Sequence, residues 1–337
     1  MQFLKTIILR FHYLLMTSHN KFSFTGKKVW VAGHRGMVGG ALLRRLKSEE
    51  CNIITVNRKE LDLRNQLDTA NWVNRNAPDC IFIAAATVGG INANNSMPVK
   101  FLQDNLKIQT NILEAAHNSN VERLIFLGSS CIYPKFAEQP IKESSLLTGS
   151  LEPTNEWYAI AKIAGIKLCQ AYQKEHGRNW ISAMPTNLYG TGDNYDLETS
   201  HVLPAILRKF HEAKKEGKTI ITLWGSGDPL REFMHCDDLA DALVFLAKNY
   251  FETEHINVGS GEEVSIKELA KIIGSVVGYN AKLNFDSSKP DGTPRKLMDS
   301  SKLNNLGWNK ARPIRQGVID TYQNWLNELN SKNLIKE

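Results

Sequence analysis

Four residues near the middle of the chain have types and spacings suited to proton transfer at a carbonyl: Ser129, Cys131, Tyr158 and Lys162. Tyr158 and Lys162 stand four apart in Tyr-Ala-Ile-Ala-Lys, so on a helix both side chains share one face. An ammonium beside a phenol favours the phenolate, which predicts a lowered tyrosine pKa and a workable acid near neutral pH. Ser129 follows a run of β-formers, Arg123-Leu124-Ile125-Phe126-Leu127, and would hydrogen-bond the same carbonyl oxygen. Such a Tyr-x-x-x-Lys pair arises by chance on many helices. It carries weight only beside a nucleotide-binding signature.

That signature lies upstream. Lys28-Val29-Trp30-Val31-Ala32 reads as a short buried strand, and Leu42, Leu43 and Leu46 give a helical pattern after it. Between them runs Gly33-His34-Arg35-Gly36-Met37-Val38-Gly39, with glycines at the first, fourth and seventh positions. Glycines so placed permit a tight turn, a close approach to a pyrophosphate and helix-on-strand packing. The next strand is expected over Asn52 to Val56. An NAD-preferring site usually carries Asp or Glu just past that strand, on the ribose 2′-hydroxyl. Here Asn57 and Arg58 stand there instead. Arg58, with Arg35, would pair with a 2′-phosphate, unless both arginines simply face solvent; the missing acid favours NADPH.

Leu61-Asp62-Leu63 is expected to begin the following helix, with Asp62 either meeting adenine or capping that helix. Cys80 to Ala86 reads as a third buried strand, Thr87 to Met97 as a functional loop, and Pro98 to Asn118 as a helix. Trp180 to Met184 continues the sheet and leads into Pro185-Thr186-Asn187-Leu188. The alternation predicts an α/β protein: a Rossmann-type doubly wound parallel sheet whose ligands lie at the carboxyl ends of the strands. After about residue 190 the chain turns rich in Gly-Pro-Asp turns, which reads as a smaller substrate-binding lobe that partly returns to the sheet. The expected division is therefore an extension over 1–25, a cofactor domain over 26–190 and mainly the lobe over 191–337.

Composition sets bounds on function. With 337 residues, 42% hydrophobic and 23% charged, the chain matches an ordinary globular protein, and a net charge of +6 is modest. No block of Lys and Arg interleaved with aromatics suggests nucleic-acid binding. Five scattered cysteines without Cys-x-x-Cys spacing argue against a disulfide framework or a metal site and fit a reducing, cytoplasmic setting. Met1 to Met16 is apolar but broken by Lys5, Arg10 and His12, too interrupted to span a membrane.

Taken together the chain resembles the extended short-chain dehydrogenase/reductase superfamily, which pairs a glycine fingerprint with Ser…Tyr-x-x-x-Lys. The resemblance is greatest to the branch that acts on GDP-4-keto-6-deoxy-D-mannose. It is carried by blocks 32–39, 128–135, 152–165, 184–190, 200–205, 224–227, 231–235 and 289–296, and covers nearly everything after residue 27. It implies epimerisation at C3 and C5 followed by NADPH reduction at C4, giving GDP-L-fucose. A base and an acid on opposite faces of the sugar are then needed, and the resemblance assigns Cys131 as base and His201 as acid. A thiol near Lys162 is also expected to have a lowered pKa.

For NADPH the resemblance implies the stretch Gly33 to Gly39, then Arg58, Asp62 and Leu63. It adds Leu127, Gly128, Ser129 and Ser130, then Lys162, Pro185 to Leu188 and His201. For the GDP-sugar it implies Lys209, Trp224, Arg231 and Asp291. The family usually has arginine where Lys209 stands, and lysine keeps the charge without the bidentate phosphate contact. A homodimer is implied too. An alternative on the same fold is an NAD-retaining 4-epimerase or 4,6-dehydratase, against which the missing acid and the Cys131/His201 pair both count.

Overall fold

The computed structural model describes residues 21–289 and 291–334. The first half alternates strand and helix. In order these are β1 (Lys28–Ala32), α1 (Met37–Leu46), β2 (Asn52–Ile54), α2 (Gln66–Asn76) and β3 (Cys80–Ile83). Next come α3 (Ile91–Ser96), α4 (Pro98–Asn118), β4 (Arg123–Leu127), α5 (Glu156–His176), β5 (Asn179–Pro185) and β6 (Asn187–Tyr189). The second half holds α6 (Val202–Glu216), β7 (Ile220–Trp224), β8 (Leu230–His235), α7 (Cys236–Asn249), β9 (Ile256–Val258) and β10 (Glu263–Ser265). It closes with α8 (Ile266–Val277), β11 (Lys282–Asp286), β12 (Arg295–Lys296), α9 (Ser301–Asn305) and α10 (Ile314–Leu334).

Six strands form one parallel sheet in the order β2-β1-β3-β4-β5-β9. Because successive side chains on a strand alternate faces, Val29 and Val31 pack one way and Trp30 and Ala32 the other. The first face is covered by α1 and α7 through Leu42, Leu46, Leu239 and Leu243. The second is covered by α2, α4 and α5 through Val73, Ile112 and Ile166. The order in which strands are added reverses between β1 and β3, since β2 lies to one side of β1 and β3 to the other. A crevice opens at such a point, outside the carboxyl ends of the strands.

The lobe has its own core, in which α6, α8 and α10 bring together Leu207, Phe210, Ile273 and Val318. A second sheet, β10-β8-β12 with β6 also on β8, joins it to the main body. After residue 190 the chain is thus shared: α7 and β9 belong to the main sheet and α6 and α8 to the lobe. Arg123, fully buried, donates to the carbonyl oxygens of Leu246, Ala247 and Tyr250 at the end of α7 and to that of Asn179. Burial lowers its pKa to about 10, against the smaller opposing effects of Cys80 and Glu122.

Three expectations need correction. Leu61 to Leu63 does not start a helix; Arg64 takes up the Asp62 carboxylate at Nε, Nη2 and its backbone N–H, and α2 begins after Asn65, whose side chain caps Asp68 N. Strand β3 stops at Ile83 rather than Ala86, because Thr87 is held by the Asn105 side chain instead of by a neighbouring strand. The expected extension over 1–25 lies mostly outside the described residues. Its last part does not: Phe22 and Phe24 are buried against the sheet, the Phe24 ring stacked on Phe82. Two large apolar side chains beside an open sheet face gain more by burial than by hydration.

Candidate active site

The carboxyl ends of β1, β3, β4 and β5 open into one continuous cleft of about 950 Å³ that extends over α6 and β8 into the lobe. Every expected site residue lines it except Gly39. Gly39 instead sets the packing of α1 on the turn before it. A Cβ there would lie 2.1 Å from the Gly33 carbonyl oxygen, and one on Gly33, at φ +88°, would lie 2.6 Å from Ala85 N. Only glycine fits either place. Gly36 precedes the first turn of α1 with no side-chain cap and no acid in that turn, so the free N–H groups face the cleft unopposed by negative charge. His34, Met37 and Val38 complete this wall.

The end of the cleft beyond β2 is basic at its rim. Arg35 and Arg58 are exposed there, while Asn57 donates to Glu60 2.8 Å away. Asp62, with Leu63 beside it, is held by Arg64, which lowers its pKa to about 2; Arg64 also reaches Asp104. Leu127, Gly128 and Ser130 form the floor, with Pro185, Thr186, Asn187 and Leu188 along the opposite edge.

Ser129 lies two residues past the end of β4 and caps a 3₁₀ turn over Ser130–Ile132, its Oγ accepting from Cys131 N at 3.4 Å. Across from it α5 presents Tyr158 and Lys162. The helix sits close to the sheet because Gly165 faces Phe126; a Cβ there would lie 2.4 Å from that ring. Gln109 Nε2 ties α4 to the Ala161 carbonyl oxygen at 2.6 Å. The Tyr158 ring meets Phe101 edge to face, centroids 6.5 Å apart.

Two electrostatic expectations are overturned here. Burial pushes the Tyr158 phenol far above its usual value, and the same burial brings Lys162 down to about 8. Removing either group from water penalises its charged form, and desolvation is the larger influence on both, with Cys131 acting to raise each. Tyr158 is therefore a neutral donor. Cys131 is likewise pushed up by burial, although Lys296, Ser129 and Lys162 act to favour its thiolate.

His201 is the N-cap residue of α6 and lines the cleft; its side chain keeps solvent contact, and partial desolvation by the surrounding walls, then Lys296, lowers its pKa. Lys296 is the residue that sequence reasoning left out. It lies on β12 with its pKa lowered by burial and its charge close enough to act on Cys131, His201 and Arg231. Its place in block 289–296 was the one available signal, since nothing local ties it to Cys131.

The lobe supplies the far wall. Lys209 donates to the Thr222 carbonyl oxygen at 2.8 Å, and Trp224 is 59% exposed with Lys289 Nζ 5.6 Å from its ring centre. Arg231 approaches the Asp291 carbonyl oxygen at 3.4 Å, while Asp291 Oδ1 accepts from Ser226 N at 2.7 Å. Two guarded cations and an accessible indole suit a nucleoside diphosphate, whose phosphates take the charges and whose base takes the ring.

Residues 29–259 match the model of the NAD dependent epimerase/dehydratase family. GDP-L-fucose synthase 1 of Arabidopsis thaliana is 57% identical over 300 residues, covering 89% of this chain and 93% of the relative. GDP-L-fucose synthase of Sinorhizobium fredii is 54% identical over 304 residues, covering 90% and 97%. A solved GDP-L-fucose synthetase from Naegleria fowleri, bound to NADP, superposes with a TM-score of 0.85 at 29% identity, covering 93% of this chain and 98% of that one. The glycine turn, the Tyr158/Lys162 helix and these similarities agree: the chain belongs to the NAD dependent epimerase/dehydratase family, on the branch of the GDP-L-fucose synthases.

Proposed function

We propose that this protein converts GDP-4-keto-6-deoxy-D-mannose to GDP-L-fucose, epimerising C3 and C5 and then reducing the C4 ketone with NADPH. The observation that carries this reading is that two chemistries share one cleft. Cys131, His201 and Lys296 line it together with Ser129, Tyr158 and Lys162, between a glycine turn on one side and Arg231 with Trp224 on the other.

The residues present fit NADPH. Gly33 and Gly39 make a cradle that a Cβ would fill, the uncapped start of α1 offers N–H groups to a pyrophosphate, and Arg35 and Arg58 on the cleft rim supply the charge that a 2′-phosphate would pair with. Bound there, NADPH supplies the hydride for C4. Ser129 Oγ and the neutral Tyr158 phenol donate to the C4 oxygen, and Tyr158 then gives it a proton. Lys162 holds the ribose beside the nicotinamide.

The protons on C3 and C5 are acidic because both carbons flank the C4 ketone. Cys131 Sγ removes each, the enolate oxygen resting against Ser129 and Tyr158, and His201 returns a proton on the opposite face. Lys296 favours the thiolate that this requires. Lys209, Trp224, Arg231 and Asp291 hold the GDP.

The working form we propose is a cytoplasmic homodimer built on α4 and α5. Val99, Trp157 and Ile160 are exposed along these helices, and all five cysteines are free. Among the described residues no helix is long and apolar enough to cross a membrane.

The test is NADPH oxidation with GDP-4-keto-6-deoxy-D-mannose, with product identification, for wild type, Cys131→Ser and His201→Gln. Wild type should release GDP-L-fucose. The variants should still bind NADPH and reduce some unepimerised ketone. Failure of wild type to consume the substrate would overturn the activity.

A further inference from the structure

The 3₁₀ turn that carries Cys131 ends at Tyr133, whose side chain points away from the cleft into a closed polar network. Tyr133 is 3% exposed and its hydroxyl donates to Asn257 Oδ1, with His255 Nε2 3.1 Å away. Asn257, on the last strand of the main sheet, is fully buried. Its Nδ2 donates to two carbonyl oxygens, Ile141 at 2.9 Å and Asp299 at 3.1 Å, and its backbone N–H donates to Glu143 Oε1 at 3.0 Å. The segments so joined also bond each other: Ile141 N to Leu297 O at 2.8 Å, and Asp299 N to Ile141 O at 2.8 Å.

One end of this assembly, Tyr133, is two residues from Cys131, and at the other end Leu297 is the residue after Lys296. Among the described residues no backbone hydrogen bond joins the 3₁₀ turn to β12 directly. Their spacing is instead relayed through one amide. A buried side-chain amide with all its hydrogen bonds made is a rigid hub, since any displacement leaves a buried polar atom unpaired.

We propose that Tyr133 and Asn257 are positioning residues that hold the Cys131 thiol in register with the Lys296 ammonium, and so serve the epimerisation half of the reaction without serving the reduction. The proposal rests on Cys131 being the base, as set out above. Around the thiol the charged or titratable groups are Lys296 on β12, Lys162 and Tyr158 on α5; around Tyr133 they are Glu143, His255 and Glu254.

The experiment compares wild type, Tyr133→Phe, Asn257→Leu and Cys131→Ser. Three quantities are read: deuterium entering C3 and C5 from heavy water per C4 ketone reduced, the NADPH Kd, and the alkylation rate of Cys131 by iodoacetamide against pH, located by mass spectrometry. Tyr133→Phe keeps the ring and so keeps the fold. It should lower deuterium entry per reduction about tenfold, since misplacing a reacting group by an ångström costs up to about a hundredfold. It should also shift the alkylation profile to higher pH and leave the NADPH Kd unchanged. Asn257→Leu should do the same more severely, or lose thermal stability if the hub is needed for folding.

An alkylation profile and a deuterium ratio both unchanged in Tyr133→Phe would overturn the proposal, as would equal loss of epimerisation and reduction. If Cys131→Ser itself keeps full deuterium entry, the base assignment fails and the catalytic consequence falls with it. The alkylation profile would then show separately whether the hub sets the thiol's surroundings.

Discussion

Lys162 Nζ donates to the Leu127 carbonyl oxygen at 2.8 Å and lies 5.7 Å from the centre of the Tyr158 ring. The ammonium is thus anchored to the end of β4, the strand that delivers Ser129, and not to the phenol oxygen. Removing it should loosen both the strand end and the cofactor ribose. Lys162→Met is expected to lower NADPH-dependent reduction by about a hundredfold or more, with a raised KM for NADPH. Tyr158→Phe should lose at least as much in kcat while binding NADPH normally, because only the proton donor is gone. Steady-state kinetics with the keto-sugar separates the two patterns.

The Cys131 thiol is raised by burial and opposed first by Lys296. Its alkylation in the unliganded protein should therefore climb with pH beyond the range of an ordinary cysteine. Lys296→Met should slow alkylation at pH 8 several-fold, since the cation that favours the thiolate is gone, and depress deuterium exchange into the sugar in parallel. An unchanged alkylation rate would show that the ammonium does not act on the thiol.

Lys162 also gives a pH dependence of stability whose sign follows from its shift. Its folded pKa, about 8, lies below the unfolded value near 10.5. Between those values the unfolded chain binds more protons, so stability rises with pH. The destabilisation is complete below about pH 8 and is relieved towards about pH 10.5. Urea midpoints of wild type and Lys162→Met should converge across that window, with the variant the more stable at pH 7.

Arg58 follows β2 where an acid would select NADH. Arg58→Asp should raise the KM for NADPH at least about tenfold, the scale of one lost charge-assisted phosphate contact, and bring the two cofactors closer in kcat/KM. Equal loss with NADH and NADPH would place Arg58 away from the 2′-phosphate.

Gly39 sits where a Cβ would meet the Gly33 carbonyl oxygen at 2.1 Å, a backbone atom that cannot swing aside. Gly39→Ala should cost on the order of 1–3 kcal/mol, as overpacking does, and weaken NADPH binding by moving the start of α1. Gly261→Ala serves as a contrast: nothing lies within 4 Å of its Cβ, though its φ of +77° adds strain. It should leave NADPH affinity unchanged.

The chemistry of short stretches was readable from residue order alone. The glycine spacing before α1, the four-residue step from Tyr158 to Lys162, the strand run into Ser129 and the lack of an acid after β2 are local patterns. Each acts through neighbours a few residues away, so sequence carries it directly. The start of α2 was misplaced because an ion pair, Asp62 with Arg64, competed with the helix pattern.

What tertiary structure decided is everything that depends on volume. Whether Tyr158 and Cys131 are driven up or down depends on how much water the whole cleft excludes, and at Cys131 burial outweighs the nearby Lys296 and Lys162. Lys296 reaches Cys131 only because β12 pairs with β8, and Asn257 joins the two segments only because β9 closes the main sheet. Such contacts are made between residues far apart in the chain, and no spacing along it records them.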